Sequence, residues 1–161
     1  MAAPDVPILT HQGADYALVL KLLRRTVIGV GRLGRFQFPA GWYVYVGSAH
    51  GPGGLKARLS RHLRSPKPLH WHLDYLRAHA QPVQVWYAVG KRRRECAWAR
   101  AVSQLAGASI PVHRFGASDC HCPAHLFHFP ARPDANTFAR AVEEAISCQR
   151  LHVRSTDPIP G

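Results

Sequence analysis

Arg58 and His62 stand four residues apart in a basic segment. Before it come an aromatic run, Gly41-Trp-Tyr-Val-Tyr-Val-Gly-Ser-Ala49, and a glycine-rich turn, Gly51-Pro-Gly-Gly54. A spacing of four puts two side chains on one face of a helix. A guanidinium neutralises the equatorial oxygens of a phosphoryl transition state with a planar fork that an ammonium cannot copy. An imidazole donates to phosphate or moves a proton near neutral pH. The phenol of Tyr45 adds a partner for a phosphate oxygen or an attacking water. Gly47, where backbone can approach a ligand closely, and Ser48 are candidate phosphate contacts. Each feature alone has a plainer explanation as an aromatic core strand, a flexible loop or a solvated basic helix. Together they point to phosphodiester chemistry.

Glu95 brings the opposite charge. On a helix at about 100° per residue, Ala99, Val102 and Ala106 fall within about 40° of it and Trp98 about 60° away. The carboxylate is therefore expected amid an apolar stripe, where without a partner it would cost several kcal/mol. One carboxylate completed by phosphate oxygens and waters is a common arrangement for Mg²⁺. A metal ligand is preferred here over a structural ion pair or a first-turn acid that merely complements the helix dipole.

The chain has 161 residues, enough for one domain with a sizeable core. Lys and Arg number 21 against 9 acids, a formal net charge of +12, so an anionic partner is expected, nucleic acid before a membrane surface. No stretch approaches the roughly 20 apolar residues of a membrane span. Met1 to Pro7 lacks the basic start of a secretion signal, so Cys96, Cys120, Cys122 and Cys148 are expected as thiols and the chain as cytoplasmic. Lys56, Arg61, Arg64, Lys67 and Arg92, within the run Lys91 to Arg94, are candidate contacts to a nucleic-acid backbone, with Arg61 and Arg64 on the far side of their helix. Nothing resembles a helix that reads base edges, so no strong sequence specificity is expected.

These residues need positioning elements. Residues 1–12 read as a flexible leader, 13–150 as a single α+β domain and 151–161 as a flexible tail. Tyr16 to Leu23 and Thr26 to Val30 are apolar runs parted by Arg24-Arg25 and read as a hairpin. Glycines and Pro39 then suggest loop up to the strand Trp42 to Val46, whose period of two puts Tyr43 and Tyr45 on one face. A helix is expected from Leu55 to Arg64 with Leu55, Leu59 and Leu63 buried, and a short one within Leu69 to Ala80. There follow a strand from Val83 to Val89, a helix from Arg94 to Leu105 and a short strand from Leu126 to Phe129. A last helix is capped by Asp134 or Asn136, with Phe138, Ala141, Val142, Ala145 and Ile146 inward.

A second group of chemistry-bearing residues comprises His70, His72 and Asp74 together with Asp119, Cys120, His121, Cys122 and His125. Zinc held by Cys120, Cys122 and a histidine is one reading. Cys-x-Cys is tighter than the usual spacing, however, and no second cysteine pair exists. The preferred reading is a hydrogen-bonded polar cluster in which His72 and Asp74 brace a loop near the cleft.

The order of a strand tyrosine, Tyr-x-Gly, Arg-x3-His on a helix and glutamate on a later helix resembles the GIY-YIG endonucleases. The blocks Gly-Trp-Tyr-Val-Tyr-Val-Gly-Ser-Ala, His-Trp-His-Leu-Asp-Tyr-Leu, Glu-Cys-Ala-Trp-Ala and Phe-Gly-Ala-Ser-Asp-Cys-His-Cys-Pro-Ala-His-Leu-Phe resemble one prokaryotic branch of them. The resemblance implies a small antiparallel sheet with a three-stranded core, flanked by helices, in a Mg²⁺- or Mn²⁺-dependent DNA endonuclease of DNA repair or processing. The DNA would be single-stranded, duplex or branched. Tyr16, Tyr45, Arg58 and His62 would then be catalytic, Gly47 the motif glycine and Glu95 the metal ligand. Ala14-Asp15-Tyr16 departs from Gly-Ile-Tyr, and the interval from Tyr16 to Tyr45 holds an extra strand. The altered first motif favours one alternative, a nucleic-acid-binding module without catalysis, and the cysteine block suggests another, a zinc-stabilised interaction domain.

Overall fold

A strand that is apolar on both faces needs a cover on each side, and the first strand shows this directly. Tyr16, Leu18, Leu20 and Leu22 enter one core while Ala17 and Val19 enter a second. The computed structural model describes residues 10–64 and 68–151. Within them the order is β1 (Ala14–Leu22), β2 (Thr26–Gly29), β3 (Arg35–Phe38), β4 (Gly41–Ala49), α1 (Gly54–Leu63), α2 (His72–Arg77), β5 (Gln81–Val89), α3 (Glu95–Ser103), β6 (Leu126–Phe129), α4 (Ala135–Val142) and β7 (Ser147–Arg150). The fold is α+β. A five-stranded antiparallel sheet in the order β6-β4-β1-β5-β7 lies between helices, with β2 and β3 as a separate two-stranded ribbon.

The period of two in β4 holds. Tyr43 and Tyr45 join the core of Tyr16, and Val44 and Val46 join the other. On the tyrosine side lie α1, through Leu55, Leu59 and Leu63, and α2, through Leu73 and Leu76, with Ile28 and Phe38 of the ribbon. On the opposite side α3 contributes Trp98, Ala99 and Val102. Phe138 of α4 stacks on Trp86 with centroids 5.1 Å apart and meets Trp98 edge-on at 5.0 Å. Asp134 caps α4 by accepting from the Thr137 backbone N–H at 3.2 Å.

Several expectations change. β1 does not form a hairpin with β2, because both edges of β1 are taken by β4 and β5. β2 pairs instead with β3, in a segment expected to be loop, across a single 3₁₀ turn at Gly31–Leu33. α3 ends at Ser103 and α4 at Val142, so Ala106 and Ala145 fall beyond their helices, and both are exposed, as is Ala141 on the outer face of α4. Thr10 and Gln12 of the expected leader dock on α1 through Lys56 N–H to Thr10 O and Leu55 N–H to Gln12 O, both 3.0 Å. At the other end β7 extends the sheet and Leu151 is buried, its N–H reaching Val83 O at 3.0 Å. Residues 1–9 of the leader and 152–161 of the tail lie outside the described residues. Among the described residues no helix is long and apolar enough to cross a membrane.

Candidate functional site

The turn into α1 is sterically closed. At Gly54, φ is +59° and a Cβ would run into the carbonyl oxygens of His11 and Gln12, so only glycine fits. The helix thus starts where Arg58 and His62 overhang the ends of β1 and β4. Arg58 Nη1 donates to Ser48 O at 2.6 Å, and its guanidinium lies 4.6 Å over the Trp71 ring. His62 is 1% exposed and shares a 2.7 Å hydrogen bond with the Tyr16 hydroxyl through Nε2.

Tyr16 lies behind the surface. Burial pushes its phenol well above the ordinary value, against the lesser opposing pull of Arg58, so it holds its proton. Burial likewise raises Tyr45, with Tyr16 and Glu95 adding to the shift. Gly47 faces Tyr16 across the β1–β4 ladder, and a Cβ there would stand 2.5 Å from the Tyr16 hydroxyl. The glycine therefore makes room for the phenol. Gly47 is not among the residues that line the cleft.

Asp15 anchors the opposite wall. Its carboxylate is completely buried. It accepts from Ser48 Oγ at 2.6 Å, His50 Nε2 at 3.3 Å and the Arg94 backbone N–H at 3.1 Å, with Arg94 Nη1 at 3.5 Å. This ties the residue before α3 to β1 and β4. Arg94 Nε also donates to Glu144 at 2.7 Å. Glu95, next in the chain, is thereby held at the rim. Its side chain is 36% exposed and points Oε2 at His125 Nδ1, 3.6 Å away. The expected position amid the apolar stripe is not found, because the buried stripe of α3 begins a turn later at Trp98.

Tyr45, Arg58, His62 and Glu95 line one cleft of about 340 Å³ together with Ser48, Trp71, His72, Gly116, Ser118, Asp119, Cys120 and His125; His70 is at its edge. Tyr16 is not among the lining residues and reaches the cleft through its hydrogen bond to His62 and a tilted ring contact with Tyr45, centroids 6.4 Å apart. The expected polar brace is present: His72 Nδ1 accepts from the Gly116 N–H at 2.8 Å. Asp74 accepts from the His70 and Trp71 N–H groups, each at 2.8 Å, and from Arg61 at 2.9 and 3.0 Å.

On the far side of His125, Cys96 from α3 meets Cys120, Cys122 and His125, their ligand atoms all within 4.8 Å of one another. Three sulfurs and an imidazole at that spacing can hold a metal ion. His70 and His72 are not part of this group. Burial raises Cys120, but hydrogen bonds from the Cys122 backbone and thiol and the charge of His125 outweigh it and lower the thiol. Burial and the other two sulfurs push Cys122 up.

A protein-family model described as a domain of unknown function, DUF123, matches residues 15–148. The chain belongs to this family. No curated protein and no solved structure matches it.

Of the basic candidates in this DUF123 domain, Lys56, Arg64 and Arg92 are exposed. Arg61 is not on the far side of its helix. It is clamped on Asp74 and lies 4.1 Å over Trp71. Ser48 is also engaged, its hydroxyl on Asp15 and its carbonyl on Arg58. Lys67 lies outside the described residues. Among the residues that sequence reasoning missed, Asp15 and Cys96 matter most. Asp15 registered only as a departure from a motif, although an acid in an apolar strand signals a buried hub. Cys96 sat unnoticed beside Glu95, where its neighbour drew the attention.

Proposed function

We propose that the domain is a metal-dependent endonuclease of the GIY-YIG type, hydrolysing phosphodiester bonds in DNA. The observation that supports this reading best is the convergence of Tyr45, Arg58, His62 and Glu95 on one polar cleft of a chain with net charge +12. Glu95 suits Mg²⁺ or Mn²⁺. It is a hard oxygen donor with one oxygen turned to His125, on a wall that also carries Asp119, and it is open enough for waters and phosphate to complete a shell. A cation bound there would supply charge stabilisation to the phosphate and the departing 3′-oxygen.

The chain's own groups divide the remaining work. Arg58, fixed by Ser48 and Trp71, meets the equatorial oxygens with its remaining N–H groups. Tyr45, 9% exposed at the cleft, orients the attacking water through its hydroxyl. His62 accepts the proton, and Tyr16 fixes the imidazole from behind. Tyr16 itself is a poor base because burial keeps the phenol protonated. Lys56, Arg64 and Arg92 carry flanking phosphates, each contact steepening the log–log salt dependence on duplex DNA by roughly 0.9.

Labelled single-stranded, duplex and branched DNA, with an RNA arm, are incubated with Mg²⁺ or Mn²⁺. Cleavage of at least one DNA is expected, together with its loss in Arg58→Ala and Glu95→Ala. Binding without cleavage overturns the reading in favour of a non-catalytic module, and unchanged cutting by both variants removes these residues from the mechanism.

A further inference from the structure

We propose that Cys96, Cys120, Cys122 and His125 bind one Zn²⁺ in a closed structural site that staples the cysteine loop to the first turn of α3. The inference is independent of the nuclease reading, since it rests on a different donor set and predicts a different ion.

The four ligands come from two separate parts of the chain: Cys96 from α3, and Cys120, Cys122 and His125 from the loop that spans residues 115–125 and leads into β6. Zn–S bonds of about 2.3 Å and Zn–N of about 2.0 Å at tetrahedral angles place a sulfur and a nitrogen about 3.6 Å apart and two sulfurs about 3.8 Å apart. Cys120 Sγ and His125 Nε2 stand at 3.4 Å. All four ligand atoms lie within 4.8 Å of one another, so no pair is more than about 1 Å from its tetrahedral distance. All four cysteines are free, and no sulfur of the cluster is spent on a disulfide.

The surroundings fit a metal as well as the ligands do. Nε2 of His125 faces the sulfurs, while Nδ1 faces the Glu95 carboxylate at 3.6 Å. At 3.6 Å this is longer than a hydrogen bond, but it sets the carboxylate on the side where the second N–H of a metal-bound imidazole takes its outer partner. Arg114, at φ +71°, donates from Nη1 to Cys122 O at 2.6 Å and from Nη2 to Cys120 O at 2.7 Å. A cation is thereby set beside a site whose three thiolates and one Zn²⁺ sum to −1. The His125 N–H to Phe115 O bond, 2.8 Å, and Val46 N–H to His125 O, 2.8 Å, fix the fourth ligand's backbone to the loop and to β4. With three sulfurs and one nitrogen and no position left for water, the set matches structural zinc and not a catalytic site. Binding releases the three thiol protons.

The untagged full chain, expressed with zinc in the medium, is expected to carry about one zinc per chain by elemental analysis. Cys122→Ser and His125→Ala are expected to lose it, and Cys148→Ser, at an exposed cysteine outside the cluster, to keep it. Where a variant fails to fold, alkylation of the wild type decides: Cys148 should react at once and the other three thiols only after a thiophilic chelator removes the metal. Cobalt substitution should add sulfur-to-metal charge-transfer absorption. Metal-free protein with all four thiols reacting alike, a Cys120–Cys122 disulfide, or iron in place of zinc would each overturn the proposal. Cleavage assays enter none of these readouts, so a failure here leaves the nuclease reading standing, and the reverse.

Discussion

Glu95 and Cys96 are adjacent on the first turn of α3, yet they belong to corners of opposite chemistry. Glu95 opens on a cleft of phenol, guanidinium, imidazole and carboxylate groups, while Cys96 turns to two further sulfurs. About 100° of helical rotation separates them. His125 stands between, with one ring nitrogen toward each corner. The oxygen side is open and polar, suited to a hard cation that exchanges waters and substrate oxygens. The sulfur side draws its ligands from separate segments and suits a softer ion that stays. The two walls are also held differently. The cleft's far wall is fixed through Asp15 and Arg94, whereas the cysteine loop meets the first turn of α3 at Cys96 in the cluster and at Glu95 through His125.

Substituting the two neighbours separately is the most forceful way to break this contrast. Glu95→Ala is expected to lower Mg²⁺-dependent cleavage by about 10²–10³-fold, the size found when one stabilising group at a transition state is removed. Its thermal midpoint should barely move, because the side chain is over a third exposed. Cys96→Ser is expected to lose the bound metal and lower the thermal midpoint, measured by calorimetry. If both variants lose the same property, the corners are one site and the contrast fails.

Next in size is Asp15→Asn. The amide keeps the shape but presents an NH₂ group to donors on Ser48, His50 and Arg94. A loss of about 2–3 kcal/mol in urea unfolding is expected. An unchanged midpoint would mean that Asp15 is not the hub that fixes α3. Tyr16→Phe should cost less, about 1 kcal/mol, as one hydrogen bond to His62 is removed. It should also slow cleavage less than Glu95→Ala does, because His62 still lines the cleft. Full retention of the rate and its pH profile would reduce Tyr16 to packing.

How much of this could be read from sequence depended on range. The Leu55, Leu59 and Leu63 stripe and the alternation of β4 are local periodicities, and both were legible. The hairpin was misread because Arg24-Arg25 resembles a tight turn, whereas β1 is claimed on both edges by strands far along the chain. β7 escaped notice because Ser147–Arg150 is a short polar edge strand with no buried residue to announce it. In the site, Arg58 and His62 were found from a spacing of four. Asp15 meets its partners across 33, 35 and 79 residues, a convergence that only the folded sheet displays. Cys96 failed for the same reason. A cluster able to hold a metal, assembled from distant elements, leaves no compact motif, and the Cys-x-Cys spacing argued against one.

The smallest effect tests the outer support of α3, through pH. Burial by itself would raise the Glu144 carboxyl, but hydrogen bonds from Arg94 at 2.7 Å and Trp98 Nε1 at 3.2 Å outweigh it and hold the group below its ordinary range. A carboxyl depressed in the folded state contributes stability above its unfolded value, about 4.3, and that contribution is lost as pH falls through the folded one. Glu144→Gln should therefore be less stable than wild type at pH 7, by about 1 kcal/mol, in urea titrations. The gap should begin to narrow below about pH 4.3 and close once the pH is under the folded carboxyl's depressed value, where Glu144 is neutral in both states. A gap that stays constant across that range would assign the difference to packing against Trp98. The start of α3, and with it both Glu95 and Cys96, would then depend on Asp15 for its charge pairing and not on Glu144.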